Sequence, residues 1–279
     1  MILANAVDTN TAIAVFDAEW QRVINELEKG DLRSISDQLE KSAFLLSLIP
    51  MKRPVHEVPV ILVTGEIFVR RDGLSRQYLT ERLARKGFAV LCSPVSEWIH
   101  YSDYWIREIK EEWRRLTWGE KLRFQIRQIM LNRYEKRISG SLFKSGLVHA
   151  LPADVPTVIR NASPYISYAL GGEAVLTVGS AITEIVSEVA GVIAIGPFGC
   201  MPNRISESIL TEIMTRSDKL NIRSKNNHIG EVLADIKELP FFAIESDGSP
   251  FPQLIEAKLE AFCLRAERLH ERMMNTHRH

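Results

Sequence analysis

Cysteine is scarce in this chain: Cys92, Cys200 and Cys263 are three in number and far apart. That excludes a disulfide framework and agrees with a reducing, cytoplasmic setting. Neither Cys-x-x-Cys nor His-Glu-x-x-His occurs, so the usual local zinc sites are missing. There is no Gly-x-x-x-x-Gly-Lys-Ser/Thr loop, and no Gly-x-Gly-x-x-Gly follows a strand pattern, which removes the common phosphate cradles of nucleotide-binding folds. A Gly-x-Ser-x-Gly nucleophile elbow is absent as well. No apolar run approaches the ~20 residues that span a bilayer, so no membrane partner is expected. The first twenty residues lack a basic start and contain Asp8 and Asp17, which is not the pattern of a signal peptide. Net charge is also missing: Lys+Arg and Asp+Glu stand at 35 each, so no overall field points to nucleic acid.

The residues present are those of a globular protein, with 46% hydrophobic and 25% charged over 279 residues. Residues 9–29 and 31–48 read as amphipathic helices broken at Gly30, and residues 1–53 form an N-terminal helical segment. Residues 54–279 then read as an α/β domain. Residues 58–65, 88–92, 191–196 and 241–244 are short apolar runs, rich in β-branched side chains and bounded by Gly or Pro, which is the pattern of buried strands. Helices are expected at 74–86, 173–190, 203–215, 229–237 and 252–270, with a loop over 216–230. Strands alternating with helices predict a three-layer α/β fold with a mainly parallel four-stranded sheet. A helical insertion at about 96–150 carries Trp98, Trp105, Trp113 and Trp118 among many basic residues. It reads as a packed helical hairpin with a solvated face, in preference to an acidic-ligand surface.

In a parallel sheet the strands' carboxyl ends converge on one edge, where such folds bind ligands. Gly65-Glu66, Cys92-Ser93-Pro94, Pro197 to Cys200, and Glu245-Ser246-Asp247 fall at those ends. The turn Gly196-Pro197-Phe198-Gly199-Cys200-Met201-Pro202 is the most informative of them. Its glycines and prolines specify the backbone, and Cys200 stands just before a helix whose N-terminal dipole favours a thiolate. Cys200 is therefore either a reactive or ligating thiol or a small buried apolar residue. Glu66 and Arg70 are either an orienting carboxylate–guanidinium pair at the site or a surface ion pair of little consequence. Glu245 and Asp247 offer an acid pair, although Asp247-Gly248-Ser249-Pro250 reads first as turn chemistry. The tail histidines, His270, His277 and His279, read as disordered surface.

Several of these segments, in order, resemble the 2-hydroxyacyl-CoA dehydratase component family. They are Gly65-Glu66-Ile67-Phe68-Val69-Arg70-Arg71, then Pro94-Val95-Ser96-Glu97-Trp98-Ile99 with Tyr101, then Gly172-Glu173-Ala174-Val175-Leu176. Pro197-Phe198-Gly199-Cys200-Met201-Pro202 and the stretch from Pro240 to Phe262 complete the set. The resemblance runs from Pro54 to Arg268, about three-quarters of the chain. It is closest to the C-terminal region of the long proteins that join activator-type ATPase domains to a dehydratase-like part.

The resemblance implies a [4Fe–4S] cluster held by cysteines between α/β subdomains. It also implies one-electron activation and dehydration of 2-hydroxyacyl-CoA thioesters, with the electron coming from an ATP-dependent activator protein. Cys200 matches the motif cysteine and becomes a cluster ligand, since soft thiolates suit iron. Cys92 lies on the same edge and is the second candidate, while Cys263 is expected to pack against the sheet. Glu66, Arg70, Phe198, Gly199, Glu245 and Asp247 become candidate substrate or partner contacts. Three cysteines are too few for a cluster of the ordinary kind, and the family's N-terminal half is not in this chain. The expectation is an iron–sulfur domain or subunit that is incomplete alone, with the N-terminal dehydratase-like half or a second subunit as partner. The alternatives are a non-catalytic α/β interaction scaffold, or an acyl-CoA- or anion-binding module without a cluster.

Overall fold

The computed structural model describes residues 1–276 apart from 109, 149–153 and 223–227. The chain divides into two compact units, one built from Met1–Val58 and Ile106–Leu151, the other from Pro59–Trp105 and Pro152–His279. The basic insertion, from Ile106 onward, thus groups with the N-terminal helices.

In chain order the helices of the N-terminal stretch are α1 (Ile2–Asn5), α2 (Thr9–Lys29) and α3 (Leu32–Ser47). Strand β1 (Val60–Gly65), helix α4 (Leu79–Arg85) and strand β2 (Ala89–Cys92) follow. Next come α5 (Ser96–Glu108), α6 (Lys110–Arg115), α7 (Trp118–Phe143), α8 (Val155–Ala162) and α9 (Glu173–Glu184). The remainder is β3 (Gly191–Pro197), α10 (Met201–Ile213), α11 (Arg216–Asn221), α12 (Ile229–Val232), β4 (Phe241–Ser246) and α13 (Gln253–Thr276).

The first unit is helical. Asp8 caps α2 through bonds from the Asn10 and Thr11 amides, and Gly30 at φ 74° ends it in the left-handed region that costs glycine little. Asp31 then caps α3 one residue later. Helix α3 packs against both α2 and α7. Glu19 is buried on α2, where it accepts from Ser42 Oγ of α3 at 2.8 Å and pairs with Arg22. Few large apolar side chains are buried here: Val23 is enclosed on α2, but α3 buries only Ser42 and Ala43.

The second unit is a three-layer α/β fold around a four-stranded sheet of order β2-β1-β3-β4, parallel at every pairing. Strands β1 and β3 are the inner pair, buried on both faces, which is why Val60-Ile61-Leu62-Val63 and Val192-Ile193-Ala194-Ile195 are continuous apolar runs. Helices α9 and α10 pack on the inner strands. Helices α4 and α13 share a core with Ile61, Val63, Ile193, Ile195 and Ile244 that includes Leu83, Leu259 and Phe262. The order reverses direction between β1 and β3, so the crevice outside their carboxyl ends is the topological switch point.

The helix expected over 229–237 is only α12, Ile229–Val232, and four other local expectations change for a physical reason. Helix α4 begins at Leu79 rather than at residue 74, because Gln77 and Tyr78 both stand at φ 51° and Asp72 accepts from the Ser75 amide at 2.7 Å. Helix α9 stops at Glu184, short of residue 190, because Val186 turns to φ 67° and its N–H bonds back to Val189 O. The expected loop over 216–230 opens with α11, capped by Thr215 accepting from Asp218 N; residues 223–227 of that stretch lie outside the described residues. Periodicity marks no element over 155–162, yet Asp154 caps α8 there and a proline occupies its first turn. Of the tail histidines, His270 lies within α13, and His277 and His279 lie outside the described residues.

Candidate functional site

Four loops meet the carboxyl edge of the sheet, and the two at the switch point are the most constrained. Strand β1 ends at Gly65 with φ 103°, where an added Cβ would lie 2.1 Å from Ile195 O; only glycine lets the two inner strands meet here. The chain then makes one helical turn. Glu66 N bonds Ile195 O at 2.8 Å, the Glu66 carboxylate accepts from Val69 N at 2.8 Å, and Arg70 N bonds Glu66 O at 3.0 Å. Glu173, the first residue of α9, reaches over to accept from Ile67 N at 2.9 Å. Glu66 and Glu173 thus act first as local caps for this turn.

Arg70 is 1% exposed. Its guanidinium donates to Gly65 O at 2.7 Å, to Glu97 Oε1 at 2.8 Å and to Pro94 O at 3.5 Å. Its ionic partner is therefore Glu97 at the start of α5, not Glu66, and the pair braces β1 against the loop that follows β2. Burial raises the pKa of Glu97, opposed by the adjacent Arg70 charge. Burial likewise raises that of Glu173. Sequence reasoning assigned no role to Glu97 or Glu173. Their signal was indirect: each sits in one of the segments that carry the family resemblance.

Cys92 ends β2 in register with Val63 of β1, and its thiol donates to Arg70 O at 3.3 Å. Burial raises its pKa, against the lowering effect of the Arg71 and Arg70 charges. It is held as a thiol rather than offered as a thiolate. Cys263 is further removed: it is buried in the core on α13, its pKa pushed up to about 11 chiefly by burial.

Strand β3 leads into the motif turn. Phe198 N bonds Ser246 O of β4 at 3.0 Å, Gly199 takes φ 74°, and Cys200 N bonds Pro197 O at 3.1 Å. Cys200 is the N-cap of α10, partly exposed, and its side chain makes no capping bond. Phe198 and Met201 on either side are 76% and 70% exposed, an unusual degree for side chains of their size. In the first turn of α10, Asn203 is 3% exposed, and neither end of its amide has a partner. Its side chain lies over Gly196, where an added Cβ would meet Asn203 Cγ at 2.7 Å. Thr64, one residue before the end of β1, also has a buried hydroxyl without a partner. Buried polar groups are nearly always satisfied, so Asn203 and Thr64, with Arg70 Nε also unpartnered nearby, are noteworthy.

At the far strand, Glu245 is clasped by the Arg204 guanidinium of α10, Nε at 2.6 Å and Nη2 at 2.7 Å. Asp247 is a turn residue: its carboxylate accepts from Ser249 N at 2.8 Å, and those Ser249 bonds hold it below the usual carboxylate range. Glu245 and Asp247 are therefore engaged with different partners.

The edge thus brings together the Cys200 turn, the Glu66–Arg70 turn and the orphaned Asn203 and Thr64. Among the described residues no group of three or more His, Cys, Asp and Glu is placed to hold a metal ion. For a [4Fe–4S] cluster the residues present fit one ligand, Cys200, and not a complete set, because Cys92 is engaged as a thiol and Cys263 is in the core. No helix among the described residues is long and apolar enough to cross a membrane. No family model, curated protein or solved structure matches this chain.

Proposed function

We propose that this chain is one half of a shared site: a dehydratase-component-like iron–sulfur subunit whose sheet edge contributes Cys200 while a partner chain contributes the remaining ligands. The observation that carries this reading is the setting of Cys200. It is a partly exposed N-cap without a capping bond, at the strand-order switch point, between the exposed side chains of Phe198 and Met201. A thiol meant only to fill space would be enclosed, as Cys263 is. Exposed large apolar residues around a thiol suit a surface that another chain covers. On this reading Arg70, Glu97 and Glu173 keep the edge rigid, and the chain by itself does not catalyse. The work of the assembled protein would be one-electron activation and dehydration of 2-hydroxyacyl-CoA thioesters, fed by an ATP-dependent activator.

The test is iron and acid-labile sulfide per chain after anaerobic purification, alone and co-expressed with a dehydratase-type N-terminal half, for wild type and Cys200→Ser. The expected result is stoichiometric iron only in the co-expressed wild type. Iron retained in Cys200→Ser would sink the proposal.

A second reading has its own support. The unpartnered Asn203 amide and Thr64 hydroxyl, with the N-terminus of α10, suit a cluster-free module that binds acyl-CoA or another anion. That reading expects coenzyme A thioesters or phosphate to raise the melting temperature of the metal-free chain, by about 2.7 kcal/mol of added stability at a hundredfold excess over Kd.

A further inference from the structure

In the helical unit, α3 packs on both α2 and α7, α1 also packs on α2, and Trp113 of α6 packs edge-on against Phe124 of α7. On α2, Phe16, Trp20 and Leu27 are exposed and recur at spacings of four and seven, which puts them on one stripe. On α7, Leu122, Ile126 and Ile129 are exposed at spacings of four and three, again on one stripe. Lone exposed apolar residues need no explanation; two aligned stripes on a unit with so small a core do.

The charges beside the stripes are opposite. Helix α2 carries Asp17, Glu19, Glu26 and Glu28 against Arg22 and Lys29. Helix α7 carries six Lys and Arg against Glu120 and Glu135. At 100° per residue, Asp17 and Glu28 flank the α2 stripe in the same rotational sense as Arg123 and Arg127 flank the α7 stripe, so in an antiparallel pairing Glu28 comes nearest Arg123 and Asp17 nearest Arg127. Heptad-like apolar rows bordered by complementary charge are the way paired helices choose their partners.

We infer that this unit is a self-association surface: α2 of one copy packs on α7 of a second copy, and a two-fold axis repeats the contact. A closed two-fold arrangement satisfies both stripes at once. The aromatic residues, about half exposed, offer on the order of 100 Å² each. With Leu27, Leu122, Ile126 and Ile129 and the flanking charged side chains added, each partner offers an area on the order of the ~800 Å² of a standard interface. The surface belongs to the helical unit, and the inference does not rest on the half-site reading.

The experiment is sedimentation equilibrium on the full chain across a concentration series, with circular dichroism to confirm that each variant keeps its helix content. The wild type is expected to dimerise, and Trp20→Glu and Ile126→Glu each to remain monomeric. Glu28→Lys and Arg123→Glu are each expected to raise the dimer Kd about tenfold or more, since each places like charges together at both contacts. Mixed together, those two variants restore both contacts as a heterodimer, and dimerisation is expected to return to near the wild-type Kd. A wild type that stays monomeric throughout, with or without binding to anionic phospholipid vesicles, overturns the inference. So does a dimer indifferent to the charge reversals or not recovered by mixing.

Discussion

Replacing Arg70 by Met tests the reasoning about the sheet edge most directly. The guanidinium and the Glu97 carboxylate face each other at 2.8 Å with side-chain exposures of 1% and 9%, so both charges are shielded from water. Removing the cation strands the anion and takes away the donor to Gly65 O at 2.7 Å. Breaking a buried pair in this way costs about 3–5 kcal/mol, a large share of the ~5–15 kcal/mol that holds a domain folded. The Arg70→Met/Glu97→Met double variant leaves no stranded charge and recovers much of the loss, so the two substitutions couple by about 2 kcal/mol or more. Acid gives an independent signature. The folded pKa of Glu97 already lies above its ordinary value of 4.5 through burial, with Arg70 opposing, so Arg70→Met raises it further. A carboxyl raised on folding stabilises fully below its unfolded value and loses that contribution as pH rises through its folded value. The deficit of Arg70→Met is therefore larger at pH 7 than near pH 4.5. Urea denaturation followed by circular dichroism at the two pH values measures all of this. A loss below about 1 kcal/mol, or one equal at both pH values, refutes the account of Arg70 as a buried brace.

Two further predictions follow from the neighbouring geometry. Gly65→Ala places a methyl group against the Ile195 carbonyl at a backbone angle that alanine disfavours; a loss of at least about 3 kcal/mol in thermal or urea unfolding is expected. Lys219 is buried and donates to Ile182 O and Thr183 O, both at 2.8 Å, and to Ser187 Oγ at 3.2 Å, so Lys219→Met leaves carbonyls of α9 without their donor and costs about 2 kcal/mol at pH 7. Burial lowers the Lys219 pKa from 10.5 to about 7, against the raising effect of Glu184 and Glu188. Between those values the unfolded chain holds a proton that the folded chain does not, so wild-type stability rises with pH by at most about 1.4 kcal/mol per unit. Lys219→Met lacks that rise, and a constant difference between the two proteins from pH 7 to 9 would contradict the assignment.

The four strands and their shared edge were legible because a strand buried on both faces leaves a continuous β-branched run, and Gly or Pro marks its end. The Cys200 turn was legible for the same reason, since glycine and proline specify a backbone that other residues avoid. What stayed hidden was set by partners remote in sequence. Arg70 pairs with Glu97 across 27 positions, and no periodicity within the Glu66–Arg70 segment announces it. Glu173 bonds Ile67 across 106 positions. Helix α11 is only six residues long, too short to show an amphipathic repeat, and rests on a Thr215 cap and a lysine drawn into the interior. Asn203 was missed because an unpartnered amide is a property of its surroundings, not of its own type.

The pairing of β1 with β3 also sets the order in which the sheet can assemble. Strands β1 and β2 are joined by one short crossover, whereas Ile61 of β1 meets Gly191 of β3, 130 positions further on, with the whole of the helical unit's second segment between them. Loop closure grows costlier only logarithmically with length, but it must occur before any contact between β1 and β3 is gained. That cost favours an order in which each half of the sheet forms before β1 pairs with β3 and meanwhile presents a bare parallel edge, apolar on both faces. The crevice that holds the Cys200 turn is made in the last step, when those edges find each other. Substitutions such as Gly65→Ala then lengthen the life of two adhesive half-sheets, and their effect in a cell is aggregation during synthesis before it is any lost activity.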